Sequence, residues 1–361
     1  MSKRVNIPSK FTCPEAPTDT ISALSFSPSS NMFVATTWNN EARIYNLQSN
    51  GSTVSSCSGV MLVNNAYPIM DARWSQDGSS VFIASGDGKV KLWNAGANST
   101  TLDVIGTHND IVSCVRSVNV NGSEFICTGS FDKTIKYWDI RTKTPAVVVQ
   151  CPNKITAIDY ADGLLIACIY NKLFYFQMTN PSVPQEFSNP KLDEYLTCCS
   201  ISADKELVTI GSASSRSAAY FPKDTSYNFL WKSSKIDKKY YPNSCSAIHN
   251  QTNALITAGG DGSIATWNCY GRIPICRIID TSPPNKYSSG SPKDPVTALS
   301  ISSQGDFMAY ATGYNWAMGD PNKLTSITEK NRINNMKPTI YIQPINKEMV
   351  EFDRSKMKKL Y

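Results

Sequence analysis

His108, Thr128, Ser130, Asp132 and Trp138 bring an imidazole, two hydroxyls, a carboxylate and an indole into a span of thirty-one residues. An imidazole beside a carboxylate could act as a general base, if a substrate group could reach it. The same set could instead be a buried hydrogen-bonded ladder. There Asp132 accepts from His108, a hydroxyl stands between, and the Trp138 indole donor is satisfied, so no buried polar group is left unpaired. We read it as the ladder, formed by His108, Ser130, Asp132 and Trp138, with Thr128 as the alternative hydroxyl. The remaining inventory gives catalysis little support. His108 and His249 are the only histidines, and neither has a second His at metal-ligand spacing. Cys-x-x-Cys, the phosphate loop, the dinucleotide fingerprint and the Gly-x-Ser-x-Gly elbow are all missing. The chain is therefore read as no enzyme, with no metal and no cofactor.

The elements that would position this set are strands. In "GSFDKTIKYWDIRT" (129–142), Ile135 and Tyr137 alternate with Lys136 and Trp138, a period of two. Asp132-Lys133 makes a tight turn back to "EFICTGS", which is itself β-branched and aromatic. That hairpin recurs in "SGDGKVKLWN" and "GGDGSIATWN", and more loosely in "TTWNNEARIYN", "CIYNKLFYFQ" and "GSASSRSAAYF". Turn residues Asn39, Asp87, Asp132, Asn171, Ser214 and Asp261 are spaced by 48, 45, 39, 43 and 47 residues. A period near 40–45 with a Trp-Asp mark is that of a four-stranded propeller blade. A seventh unit starts at "VTALSISSQGDFMAYATGYNW" and ends on "PTIYIQPI" after an insertion. The expectation is all-β: one closed seven-bladed propeller over 1–361, with "RVNIPSKFTC" completing the last blade and 353–361 as a basic tail.

Composition narrows the partners. Hydrophobic residues at 41% are enough for a large core, so disorder is not expected. No apolar run nears the roughly 18 residues of a membrane span, and "MSKRVNIPSKF" lacks a signal-type stretch. The eleven Cys fall mostly inside strand patterns, and free reduced thiols in a cytosolic or nuclear protein are expected. A net charge of +6 gathers in "WKSSKIDKKYY", "SPKD", "TEKNR" and "DRSKMKKLY". Such a rim attracts acidic peptides or nucleic acid, and Trp231, Tyr240 and Tyr241 among the lysines would suit base stacking.

Three features, "FSPSSNMFVATTW", Arg216 and "GYNWAMG", go beyond a generic blade. With them the chain resembles, over nearly its whole length, the RNA export factor one family of WD40 proteins. The sister branch is the mitotic checkpoint propeller, and Trp316 favours the export branch. The resemblance implies a non-catalytic adaptor for mRNA export that binds the acidic GLEBS motif of a phenylalanine-glycine-repeat nucleoporin and touches single-stranded RNA or mRNP weakly. It implies a place in the nucleus and at the pore, and in the cytoplasm. Carried over residue by residue, it implies partner contacts at Trp38 and Arg216 on one face, with Phe131 and Trp316 as neighbours. Arg offers a bidentate fork to Glu, an exposed Trp a flat apolar anchor. Arg216 has no acidic neighbour in sequence. The alternatives are a checkpoint adaptor binding kinases and a generic WD40 scaffold. The pattern departs from the family at Asn39 after Trp38, at Phe131 in place of Trp, in the degenerate fourth and fifth blades, and in insertions 281–293 and 318–337.

Overall fold

A computed structural model describes residues 5–120, 122–187, 192, 194–232, 243–279, 294–314 and 336–353. Among these, twenty-eight strands, numbered in chain order, form seven four-stranded antiparallel sheets. Among the described residues, helix is limited to one 3-10 turn, Thr225–Tyr227, and one short α-helix, α1 (Lys347–Val350). The fold is the expected seven-bladed propeller.

Each blade begins on an innermost strand that packs beside that of its neighbours, and β2 (Ile21–Phe26) closes the circle on β26 (Val296–Ile301). These strands run the same way, so every turn between the second and third strand of a blade opens on one face. That third turn residue needs positive φ. Glycine takes it in blades 2 and 6 (Gly88, Gly262), but Asn40, Lys133 and Ser215 take it in blades 1, 3 and 5 at 75°, 68° and 64°.

Blade 7 is built from both chain ends. β1 (Phe11–Thr12) pairs with β28 (Thr339–Pro344), setting Phe11 opposite Ile342. Cys13 then forms a disulfide with Cys57 on β5 (Thr53–Asn64), the outer strand of blade 1, with their Cα atoms 5.7 Å apart. This corrects the expectation that all thiols are free, since ring closure apposes two residues 44 positions apart. Among the described residues, seven others, including Cys114, Cys127 and Cys168, are free thiols buried as small apolar residues.

The core lies between blades. Trp138 is 2% exposed and packs from blade 3 onto Gly106 of β9 (Asp103–Thr107), where a Cβ would meet its ring at 2.7 Å. Burying a side chain that size stabilises by roughly 3 kcal/mol, so any larger residue at 106 would displace a main core element.

Candidate docking face and buried polar relay

In blade 3, β11 (Ser123–Ser130) and β12 (Thr134–Trp138) carry the hydroxyls and the indole, with Asp132 in the turn between them. His108 arrives from the loop after β9. Its Nδ1 lies 2.9 Å from Asp132 Oδ2 and its Nε2 2.8 Å from Thr128 Oγ1. Trp138 Nε1 donates to the same hydroxyl at 2.8 Å. An indole N–H only donates, so Thr128 accepts from Trp138, and its own O–H donates a hydrogen bond to Nε2. The imidazole is then neutral and donates from Nδ1 to Asp132. Burial pushes the His108 pKa down to about 4, against the pull of Asp132. Burial alone would raise Asp132, but bonds from the Thr134 hydroxyl, the Asn109 amide and the imidazole hold it at about 2.

Thr128, not Ser130, is thus the hydroxyl between His108 and Trp138. Ser130 caps the turn instead, donating to Ile111 O at 2.8 Å and accepting from the Asp132 amide at 3.1 Å. The relay ties the 108–111 loop to the turn and to β12. With the His108 side chain fully buried and both its nitrogens occupied, this arrangement has no room for a substrate proton.

Trp38 follows β3 (Met32–Thr37), Phe131 follows β11, and Arg216 opens β20 (Arg216–Tyr220). All three are half-buried and sit at the same turn of blades 1, 3 and 5. The fold brings them to one face but not into mutual contact, because blades 2 and 4 intervene. Trp316 lies outside the described residues. Lys154 Nζ stands 5.0 Å over the Phe131 ring. The gaps hold aromatics that sequence reasoning missed: exposed Tyr67, and exposed Tyr170 and Tyr195 in an edge-to-face pair at 5.5 Å. Their signal was a tyrosine at a turn or inter-blade loop, where a core role is least secure.

Arg216 is not isolated, contrary to its sequence surroundings. Glu194, in the loop entering blade 5, places Oε1 3.5 Å from Nη1, and its Oε2 accepts from the Ser212 hydroxyl at 2.8 Å and from Ser214. Lys232, the last residue of β21 (Phe229–Lys232), lies opposite Arg216 in register. Trp231 is half-buried and packs between Phe229 and Trp267, at 4.9 and 5.7 Å. Tyr240, Tyr241 and most of the basic clusters lie outside the described residues.

The channel holds a charged belt, a second group missed in the sequence. Arg116 of β10 (Val112–Val120) reaches Asp71 Oδ2 of β6 (Ile69–Trp74) at 2.8 Å and Asp159 Oδ1 of β14 (Ile155–Ala161) at 3.0 Å. Asp159 also accepts from the Ile201 amide at 3.0 Å, and Arg73 donates to Leu24 O at 3.0 Å. The belt therefore links blades 1 to 5. Burial lowers the Arg73 pKa, and the like charge of Arg116 lowers it further.

Seven blades around a charged channel, with a buried relay and a rim of turns, define a WD40-type propeller. The family described as "WD domain, G-beta repeat" matches residues 9–46, 55–94 and 99–139, within the first three blades. The Poly(A)+ RNA export protein of Schizosaccharomyces pombe is 30% identical over 326 residues, covering 84% of each chain. Protein Rae1 of Drosophila melanogaster is 28% identical over 354 residues, 91% of this chain and 96% of its own. The mRNA export factor rae-1 of Caenorhabditis elegans is 28% identical over 84% of this chain and 82% of its own. The chain belongs to the WD40-repeat mRNA export factor family.

Proposed function

We propose that this protein is a non-catalytic adaptor in mRNA export, acting in the nucleus and at the nuclear pore and passing through the cytoplasm. Its partner is the acidic GLEBS segment of a phenylalanine-glycine-repeat nucleoporin, docked on the face bearing Trp38, Phe131 and Arg216. The observation that carries the reading is the match, along most of the chain, to relatives named for RNA export. The placement of Trp38, Phe131 and Arg216 on one face supports the docking mode. Trp38 and the tyrosines offer flat, low-entropy apolar area. Arg216, with a side chain 39% exposed, keeps enough open surface for a partner carboxylate to join or displace Glu194. RNA is held more weakly, through backbone charge at the basic rim.

The test is calorimetric titration of the full chain with a GLEBS-type peptide. Binding that weakens in Trp38→Ala and Arg216→Glu proteins of unchanged fold supports the assignment. A peptide that the wild-type protein ignores would return the chain to the generic scaffolds.

A further inference from the structure

A cavity of 460 Å³ lies in the channel, away from the rim of turns that carries Trp38, and its size is that of a small-molecule site. Blades 2, 3 and 4 line it with Arg73, Arg116 and Asp159, where blades 1, 5 and 7 place Ser25, Ser200 and Ser300. One half of the wall is therefore charged and the other half carries hydroxyls.

The two arginines differ in what they have left to give. Arg116 is clamped between Asp71 and Asp159. Arg73 donates only from Nη1, to Leu24 O at 3.0 Å and to Ala72 O at 3.5 Å. Its Nη2 stands 3.7 Å from Asp71 Oδ1, too far for a hydrogen bond, and neither Nη2 nor Nε has one among the described residues. A guanidinium carries five N–H donors, and its Nε–Nη2 edge takes a carboxylate side-on through two parallel bonds.

We propose that the channel binds a small polar monocarboxylate, with the carboxylate on the Nε–Nη2 edge of Arg73 and hydroxyl or amide groups against Ser25, Ser200 and Ser300. A single charge suits the site. Arg73 and Arg116 against Asp71 and Asp159 leave the belt without net charge, and Asp162 at the mouth is paired with Lys205 Nζ at 2.7 Å, so the Arg73 edge is what remains for an anion. Asp162, Ala203 and Asn250 belong to turns between first and second strands, so the mouth opens on the face opposite Trp38. The occupant does not compete with a peptide on the other face, and the inference does not rest on the proposed function. The carboxylate is either that of a free hydroxy acid or a glutamate borne on a peptide.

Ligand-observed NMR titration of the full chain decides, with potassium gluconate in one arm and acetyl-Gly-Ser-Glu-Ser-Gly-amide in the other. One probe should saturate, and the arm that does identifies the source. Arg73→Met should weaken it at least about tenfold, the loss of a charge-assisted bidentate pair, whereas Arg216→Glu should leave it unchanged. Should Arg73→Met fail to fold, Ala247→Phe keeps the arginine, fills the cavity from blade 6, and should abolish binding. The proposal is overturned if neither probe saturates or if affinity survives the variant that folds. Tighter binding of inositol hexakisphosphate than of either probe overturns it too.

Discussion

Blade 3 and blade 5 solve the same corner with opposite polarity. In blade 3 the turn carries the carboxylate, Asp132, and the incoming loop the imidazole, His108, with donors and acceptors matched. In blade 5 the loop carries the carboxylate, Glu194, and the turn region the hydroxyls of Ser212 and Ser214, with Arg216 beside them and partly open. Ile210 stands where blade 3 has Thr128, and Tyr220 where it has Trp138. A closed polar set contributes stability and has nothing left to offer a partner. An open one contributes little to folding and keeps capacity for binding.

The sharpest break of this comparison is charge reversal at blade 5. Arg216→Glu sets a carboxylate beside Glu194 and the acidic peptide, and should cost about 2–5 kcal/mol of binding with a nearly unchanged melt. Wild-type affinity in a folded variant would end the face assignment. Trp38→Ala should cost roughly 2 kcal/mol of binding in the same titration, because it removes an anchor from blade 1 without touching a relay.

At blade 3 the effect should move from binding to stability. Asp132→Ala strips acceptors from the imidazole, the Asn109 amide and the Thr134 hydroxyl, and should lower stability by about 1–3 kcal/mol. A denaturant midpoint that does not move would mean the relay contributes nothing. The relay also has a pH signature. Native His108 titrates near 4, below its ordinary 6.5, so between those values the unfolded chain takes up a proton that the native one refuses. Stability should fall as pH drops through that window and level off below 4 as far as this group is concerned. Asp132, depressed to about 2, adds a further loss only below its ordinary 3.8. Unfolding curves from pH 7 to 4 should show a shallower slope in His108→Gln.

Smallest of all should be Glu194→Gln. An ion pair this exposed is worth about 0–1 kcal/mol, so the melt should barely shift. Acidic-peptide affinity should rise by less than tenfold as Arg216 loses its internal competitor. A weaker peptide would show that Glu194 positions the guanidinium instead.

What the sequence determined by itself is what short-range chemistry controls. The alternation in "TIKYW", the Asp, Asn and Gly turns and a period near 45 residues sufficed for seven four-stranded blades, and Trp38, Phe131 and Arg216 could be put at turn positions. It did not distinguish Thr128 from Ser130. Both project from the same side of β11, two residues apart, and only the register of Ile126 against Trp138 sets which hydroxyl lies level with the indole. Nor did it pair Arg216 with Glu194, Cys13 with Cys57, or Arg116 with Asp71 and Asp159. The belt residues stand 45 and 43 positions from Arg116, one blade in either direction, so the repeat spacing held that information unused. Those partners are decided when the ring closes, because charge and thiol pairing depend on which loops and inner strands closure brings side by side, a long-range choice that local propensity does not encode.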